Sequence, residues 1–104
     1  MNGRRPATIV VLHEQLGVLE LLETALRDQG ARVFATRDSF EALETVRRLK
    51  VDLVLLSRAK TDVARDLRVF QPELSAVVLG NEPMWLAEIE AAVLAALAER
   101  GERA

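Results

Sequence analysis

Five residues of this chain carry side chains that could do chemistry, and each stands directly after an apolar run or close behind one. Ser57 closes Val51-Asp52-Leu53-Val54-Leu55-Leu56, with Arg58 and Lys60 just beyond it, and His13-Glu14 closes Thr8-Ile9-Val10-Val11-Leu12. In open α/β sheets, ligands and chemistry gather outside the carboxyl ends of the strands, so these five form the candidate site. A hydroxyl, an imidazole and a carboxylate are the material of a hydrolase or transferase, but no nucleophile-elbow glycines surround Ser57. Arg58 and Lys60 are suited to an anion or a nucleotide, yet no Gly-rich phosphate loop follows any strand. His13 and Glu14 are two adjacent residues and by themselves a weak ligand set, so no metal and no cofactor is expected. The plainer readings are a small polar strand end at Ser57, a solvated loop at His13, and a Glu14 that favours the positive end of a helix dipole.

The elements that position these residues follow from hydrophobic period. Thr8–Leu12 and Val51–Leu56 are near-continuous Val/Leu/Ile runs, the pattern of parallel strands buried on both faces, and Val51–Leu56 is read as a central strand. Arg32–Ala35 and Ala76–Leu79 are two further short strands. Leu19, Leu22, Ala25 and Leu26 recur at helical spacing from Leu16 onward, and Gly30 supplies a left-handed stop. Asp38 with Glu41 three residues later predicts a capping box opening a helix to about Lys50, with Ala42, Leu43, Val46 and Leu49 inward. A short helix over Asp62–Phe70 turns Val63, Leu67 and Phe70 inward, and Pro72 ends it. Asp52 is read as a structural group beside the strand, and Asp62 and Asp66 as serving the start and solvent face of this helix. A last helix runs from Met84 to about Arg100. Strands alternating with helices over short links imply right-handed βαβ units, with helices on both faces of a parallel sheet.

Composition limits the functions open to such a domain. At 104 residues the chain is expected to form one domain, with residues 1–6 a disordered tail. A net charge of −2 and scattered cations argue against a nucleic-acid partner. No apolar run approaches the ~18 residues of a membrane span, and nothing resembles a signal peptide. The absence of cysteine removes disulfide and thiolate chemistry and fits a reducing compartment, so a cytoplasmic location is expected.

This order of elements resembles the receiver domain of bacterial two-component response regulators over nearly the whole chain. Val51–Leu56 is similar to the family's "PDLVLLD" strand, Thr8–Glu14 to its first strand and acidic pair, Ala76–Gly80 to its "VVVLT" strand, and Pro83–Gly101 to its closing segment. The resemblance implies an open parallel sheet of about four strands, flavodoxin-like, with the usual fourth helix and fifth strand missing between Gly80 and Pro83. It also implies a phosphorelay site whose working positions have all changed. The phosphoacceptor aspartate is Ser57, the Mg²⁺-holding acidic pair is His13-Glu14, the hydroxyl that reads the phosphate is Gly80, and the lysine is Glu82. A serine without a base is not nucleophilic, one carboxylate with an imidazole is a poor magnesium cage, and Glu82 repels phosphate.

The last helix offers a second surface. Trp85, Ile89, Ala92, Val93, Ala96 and Leu97 make a core stripe, while Ala87, Ala91, Leu94, Ala95 and Ala98 occupy the side where charges are normally found. Alanine is a good helix former, but an apolar outer side also marks an interface. A fourth strand left at the sheet edge adds a further surface that is usually covered or paired. The expectation is therefore a non-enzymatic, phosphorylation-independent, pseudo-receiver signalling domain that works as a homodimer or through a signalling protein partner. Its alternative is an enzyme or anion sensor at Ser57, His13, Glu14, Arg58 and Lys60.

Overall fold

The computed structural model describes residues 6–79 together with Ala87, Glu90, Ala91, Leu94 and Ala95. The elements run in the order β1 (Thr8–Leu12), α1 (Leu16–Asp28), β2 (Arg32–Thr36), α2 (Ser39–Arg48), β3 (Leu53–Leu56), α3 (Val63–Phe70) and β4 (Ser75–Val78). A single 3₁₀ turn, Arg58–Lys60, lies between β3 and α3. The four strands form one parallel sheet in the order β2-β1-β3-β4. Parallel strands need crossovers, and the three helices supply them.

Strand alternation divides the core in two. Ile9, Val11, Val33, Leu53 and Leu55 point to one face, where they pack with Leu19, Leu22 and Leu26 of α1. Val10, Leu12, Val54 and Leu56 point to the other, against Ala42 and Val46 of α2 and Val63 and Leu67 of α3. Every residue of β1 and β3 is buried, which explains their unbroken apolar sequence. Both are interior strands, and β2 and β4 are the edges among the described residues. The expected strand at Ala76–Leu79 is one residue earlier, at Ser75–Val78.

The helix ends have identifiable causes. Gly30 has φ +90°, its N–H donates to the Arg27 carbonyl and the Ala31 N–H to the Leu26 carbonyl, the paired bonds of a Schellman stop. At α2 the Asp38 side chain accepts from the Phe40 N–H at 2.9 Å, as expected of an N-cap. The second half of the capping box is altered: Glu41 does not reach back to the Asp38 N–H. Thr36 stands between, its hydroxyl accepting from the Asp38 N–H at 3.0 Å and donating to Glu41 at 2.6 Å.

Two apolar residues expected inside are not. Phe70 is 46% exposed and Leu49 37% exposed. Phe70 is the last residue of α3, and Leu49 is the extended C-cap residue after α2, so neither is held on the inward stripe of a continuing helix. A long-range contact missing from the sequence reading closes this end. The Gln71 amide donates to the carbonyls of Val46 at 2.7 Å and Leu49 at 2.5 Å, and its oxygen accepts the Val51 N–H at 3.0 Å. Asp52 takes the structural part read for it, accepting from the Thr8 N–H at 2.8 Å while its own N–H donates to the Thr8 carbonyl.

The expectations for residues 1–5, Gly80, Glu82, Ala98 and the segment between Gly80 and Pro83 lie outside the described residues. Among the described residues no helix is long and apolar enough to cross a membrane.

Candidate functional site

The β1–β3 register places the two candidate segments side by side. Leu12 pairs with Leu56, so His13-Glu14 and Ser57 leave neighbouring strands at the same level. Backbone bonds extend the ladder past the strand ends: the Ser57 N–H donates to the Leu12 carbonyl at 3.0 Å, and the His13 N–H to the Thr36 carbonyl of β2 at 3.2 Å. Ser57 is buried at 3% exposure, and its hydroxyl donates to Glu14 Oε1 at 2.6 Å. Glu14 is exposed, and its carboxylate accepts from a residue 43 positions away.

Charge at the site follows from this bond. The Ser57 hydroxyl is the main reason that the Glu14 carboxyl titrates below its ordinary value of 4.5. Its own backbone N–H acts the same way, partial desolvation opposes, and positive charge on Lys60, or on His13 when protonated, adds to the lowering. His13 Nδ1 accepts the Gln15 N–H at 3.0 Å, so the neutral ring carries its proton on Nε2. The same Nδ1 is 3.8 Å from Glu14 Oε1, close enough for an ion pair only if the ring is charged. The N-cap Gln15 makes no side-chain cap bond, and His13 serves that end of α1 instead.

What this arrangement can do chemically is restricted. In a nucleophilic triad the imidazole lies between hydroxyl and carboxylate. Here the hydroxyl meets the carboxylate directly, and the imidazole nitrogen nearest them is occupied by a backbone N–H. A carboxylate of lowered basicity is a weak base toward an alcohol, so Ser57 is held rather than activated. No three His, Cys, Asp or Glu side chains among the described residues are grouped to hold a metal ion. Arg58 is exposed and Lys60 half-buried on the 3₁₀ turn; Lys60 acts on Glu14 through its charge. Gly80 and Glu82 lie outside the described residues. Of the proposed interaction surface, Ala87, Ala91, Leu94 and Ala95 are helical and exposed, as is Glu90, and Leu94 is 66% exposed.

Comparison with known proteins bears on the fold. No protein-family model matches the chain, and no curated protein matches it. Solved structures do. A response regulator from Thermotoga maritima is 22% identical, with a TM-score of 0.65 over 88% of this chain and 78% of that one. The MaeR response regulator bound to beryllium trifluoride is 18% identical, with a TM-score of 0.60 over 80% of this chain and 75% of that one. The chain therefore has the receiver-domain fold of response regulators, an α/β flavodoxin-like parallel sheet.

Sequence reasoning placed Ser57, His13 and Glu14 at neighbouring strand ends but did not give the bond between Ser57 and Glu14, nor the use of His13 by the first turn of α1. Both are contacts between individual atoms, and the only signal for the first was that the two residues follow adjacent strands.

Proposed function

We propose that this chain is a phosphorylation-independent receiver-like signalling module of the cytoplasm, acting through protein–protein interaction or homodimerisation rather than catalysis. The observation that carries the reading is the 2.6 Å bond from the Ser57 hydroxyl to Glu14. At the position where a receiver presents a carboxylate nucleophile, this chain has a buried hydroxyl already committed to a carboxylate partner. Phosphoryl transfer needs charge-neutralising cations around the oxygens, and the second carboxylate that would share a divalent ion with Glu14 is an imidazole. Signalling then depends on surface. The exposed helical residues Ala87, Ala91, Leu94 and Ala95, with the β4 edge, are the proposed contact area.

Sedimentation equilibrium tests this directly, on wild type, on Leu94→Glu, and on wild type with acetyl phosphate and Mg²⁺. A wild-type dimer, a folded monomeric variant and no response to the phosphodonor support the proposal. A monomeric wild type that associates only with phosphodonor and Mg²⁺ refutes it.

A further inference from the structure

We propose that His13 is a proton-operated switch on the first turn of α1, exchanging a cap bond to the Gln15 N–H for an ion pair with Glu14. One nitrogen serves both states. In the neutral ring Nδ1 accepts the Gln15 N–H at 3.0 Å, while Glu14 Oε1 waits 3.8 Å from the same atom. A proton can be taken up only on that nitrogen, since Nε2 already carries one, and a protonated Nδ1 has no lone pair for the amide. It becomes a donor, and a charged acceptor within ion-pair reach at 3.8 Å is the carboxylate that also receives the Ser57 hydroxyl at 2.6 Å. Imidazoles change charge in the physiological range, and Glu14 is ionised throughout it, so the acceptor is present in both states.

The surroundings favour a local exchange over a general loosening. From β2 the neighbour is the Thr36 carbonyl, which holds the His13 N–H and does not titrate. From the 3₁₀ turn the charged neighbour is Lys60, whose charge acts on Glu14. From the loop between β1 and α1, to which His13 belongs, it is Glu14 itself. The backbone of His13 is fixed by its ladder bond, whereas the Gln15 side chain makes no cap bond, so the first turn of α1 is the part free to respond. The inference rests on the proposed function in one respect: with no phosphoryl chemistry at Ser57, a proton is the input that this site can still read.

Two substitutions isolate the two states. His13→Asn keeps an acceptor near the place of Nδ1 but does not titrate, and His13→Ala removes the acceptor at every pH. In ¹⁵N-resolved NMR between pH 8 and pH 5, the wild-type Gln15 amide is expected to shift in step with the His13 ring. Its protection from exchange, corrected for intrinsic rate, falls roughly fivefold, the worth of one exposed hydrogen bond. His13→Asn holds the protected state across the range, and His13→Ala shows the unprotected state throughout. The switch is overturned if the Gln15 amide ignores the titration of the ring, or if His13→Asn keeps the wild-type pH response. Repeating the titration with acetyl phosphate and Mg²⁺ separates the two proposals. A response at Ser57 overturns phosphorylation independence, while the pH response of Gln15 alone decides the switch.

Discussion

Removing the Gln71 side chain with Gln71→Ala tests whether the carboxyl end of α2 is closed by a distant residue rather than a local cap. Three bonds go at once: two donated by the amide, to Val46 and Leu49, and one accepted from the Val51 N–H. Their losses are unequal. Val51 is buried, so its N–H is left with no solvent to replace the partner, which costs about 1–2 kcal/mol. The Val46 carbonyl is partly buried and adds about 1 kcal/mol, while the Leu49 carbonyl is at an exposed end and rehydrates at little cost. Freeing a glutamine side chain returns about 1 kcal/mol of rotamer entropy. The net expectation is a loss of about 1–2 kcal/mol, which for a domain of this size lowers Tm by roughly 5–15 °C. Urea unfolding followed by far-UV circular dichroism measures it as a lower midpoint at unchanged slope. A companion variant sharpens the test. Gln71→Glu keeps the acceptor for Val51 but turns a carboxylate toward two carbonyls, which raises its pKa in the folded state. Its stability is therefore fully retained only below the unfolded-state pKa and declines as pH rises. If Gln71→Ala lies within about 0.5 kcal/mol of wild type, the side chain is not closing the helix and the argument fails.

The other expectations concern the site and α1. Ser57→Ala removes the hydroxyl that lowers the Glu14 pKa, a group whose contribution to stability is present above about pH 4.5 and lost on acidification. Wild type is thus more stable than Ser57→Ala at pH 7, with the two urea midpoints converging as pH falls below that value; a constant gap would refute the linkage. Ser57→Asp sets a second carboxylate against Glu14, so its deficit grows from pH 4 to pH 7, and Mg²⁺ recovers part of it in the variant but not in wild type. Thermal unfolding with and without the ion reads this, and an ion-independent deficit would sink it. The two described glycines of α1 and its stop differ in sign. Gly30→Ala forces a methyl into a left-handed conformation and costs about 1–2 kcal/mol, whereas Gly17→Ala, with open space around it, stabilises by about 0.5–1 kcal/mol.

The elements of this fold were legible because each strand and helix wears its period openly. β1 and β3 are buried on both faces and so read as unbroken apolar runs; Leu19, Leu22 and Leu26 keep helical spacing and all three are buried. What escaped the sequence was whatever depends on where one element stops relative to another. Phe70 has the spacing of a core residue but is the last residue of α3 and 46% exposed. Thr36 intrudes on the capping box because β2 happens to end beside α2. Gln71 reaches back 25 and 22 residues to α2, a contact with no local signature. The candidate site was legible as a set of residue types at strand ends. Which of them touch, and that Ser57 is the donor to Glu14, required the register of β1 against β3.

The interior place of β1 sets a timetable for synthesis. Thr8 pairs with Arg32 on one side, but Ile9 must wait for Leu53, 44 residues further along, before its second edge closes. At about 5–20 residues per second, a ribosome needs roughly 2–9 s to add those residues. During that interval Thr8-Ile9-Val10-Val11-Leu12 is a finished, uncharged, β-prone pentapeptide with no partner on that edge. Nascent chains halted before β3 emerges therefore present this segment to one another, and truncations between β2 and β3 are expected in inclusion bodies while the full chain remains dispersed.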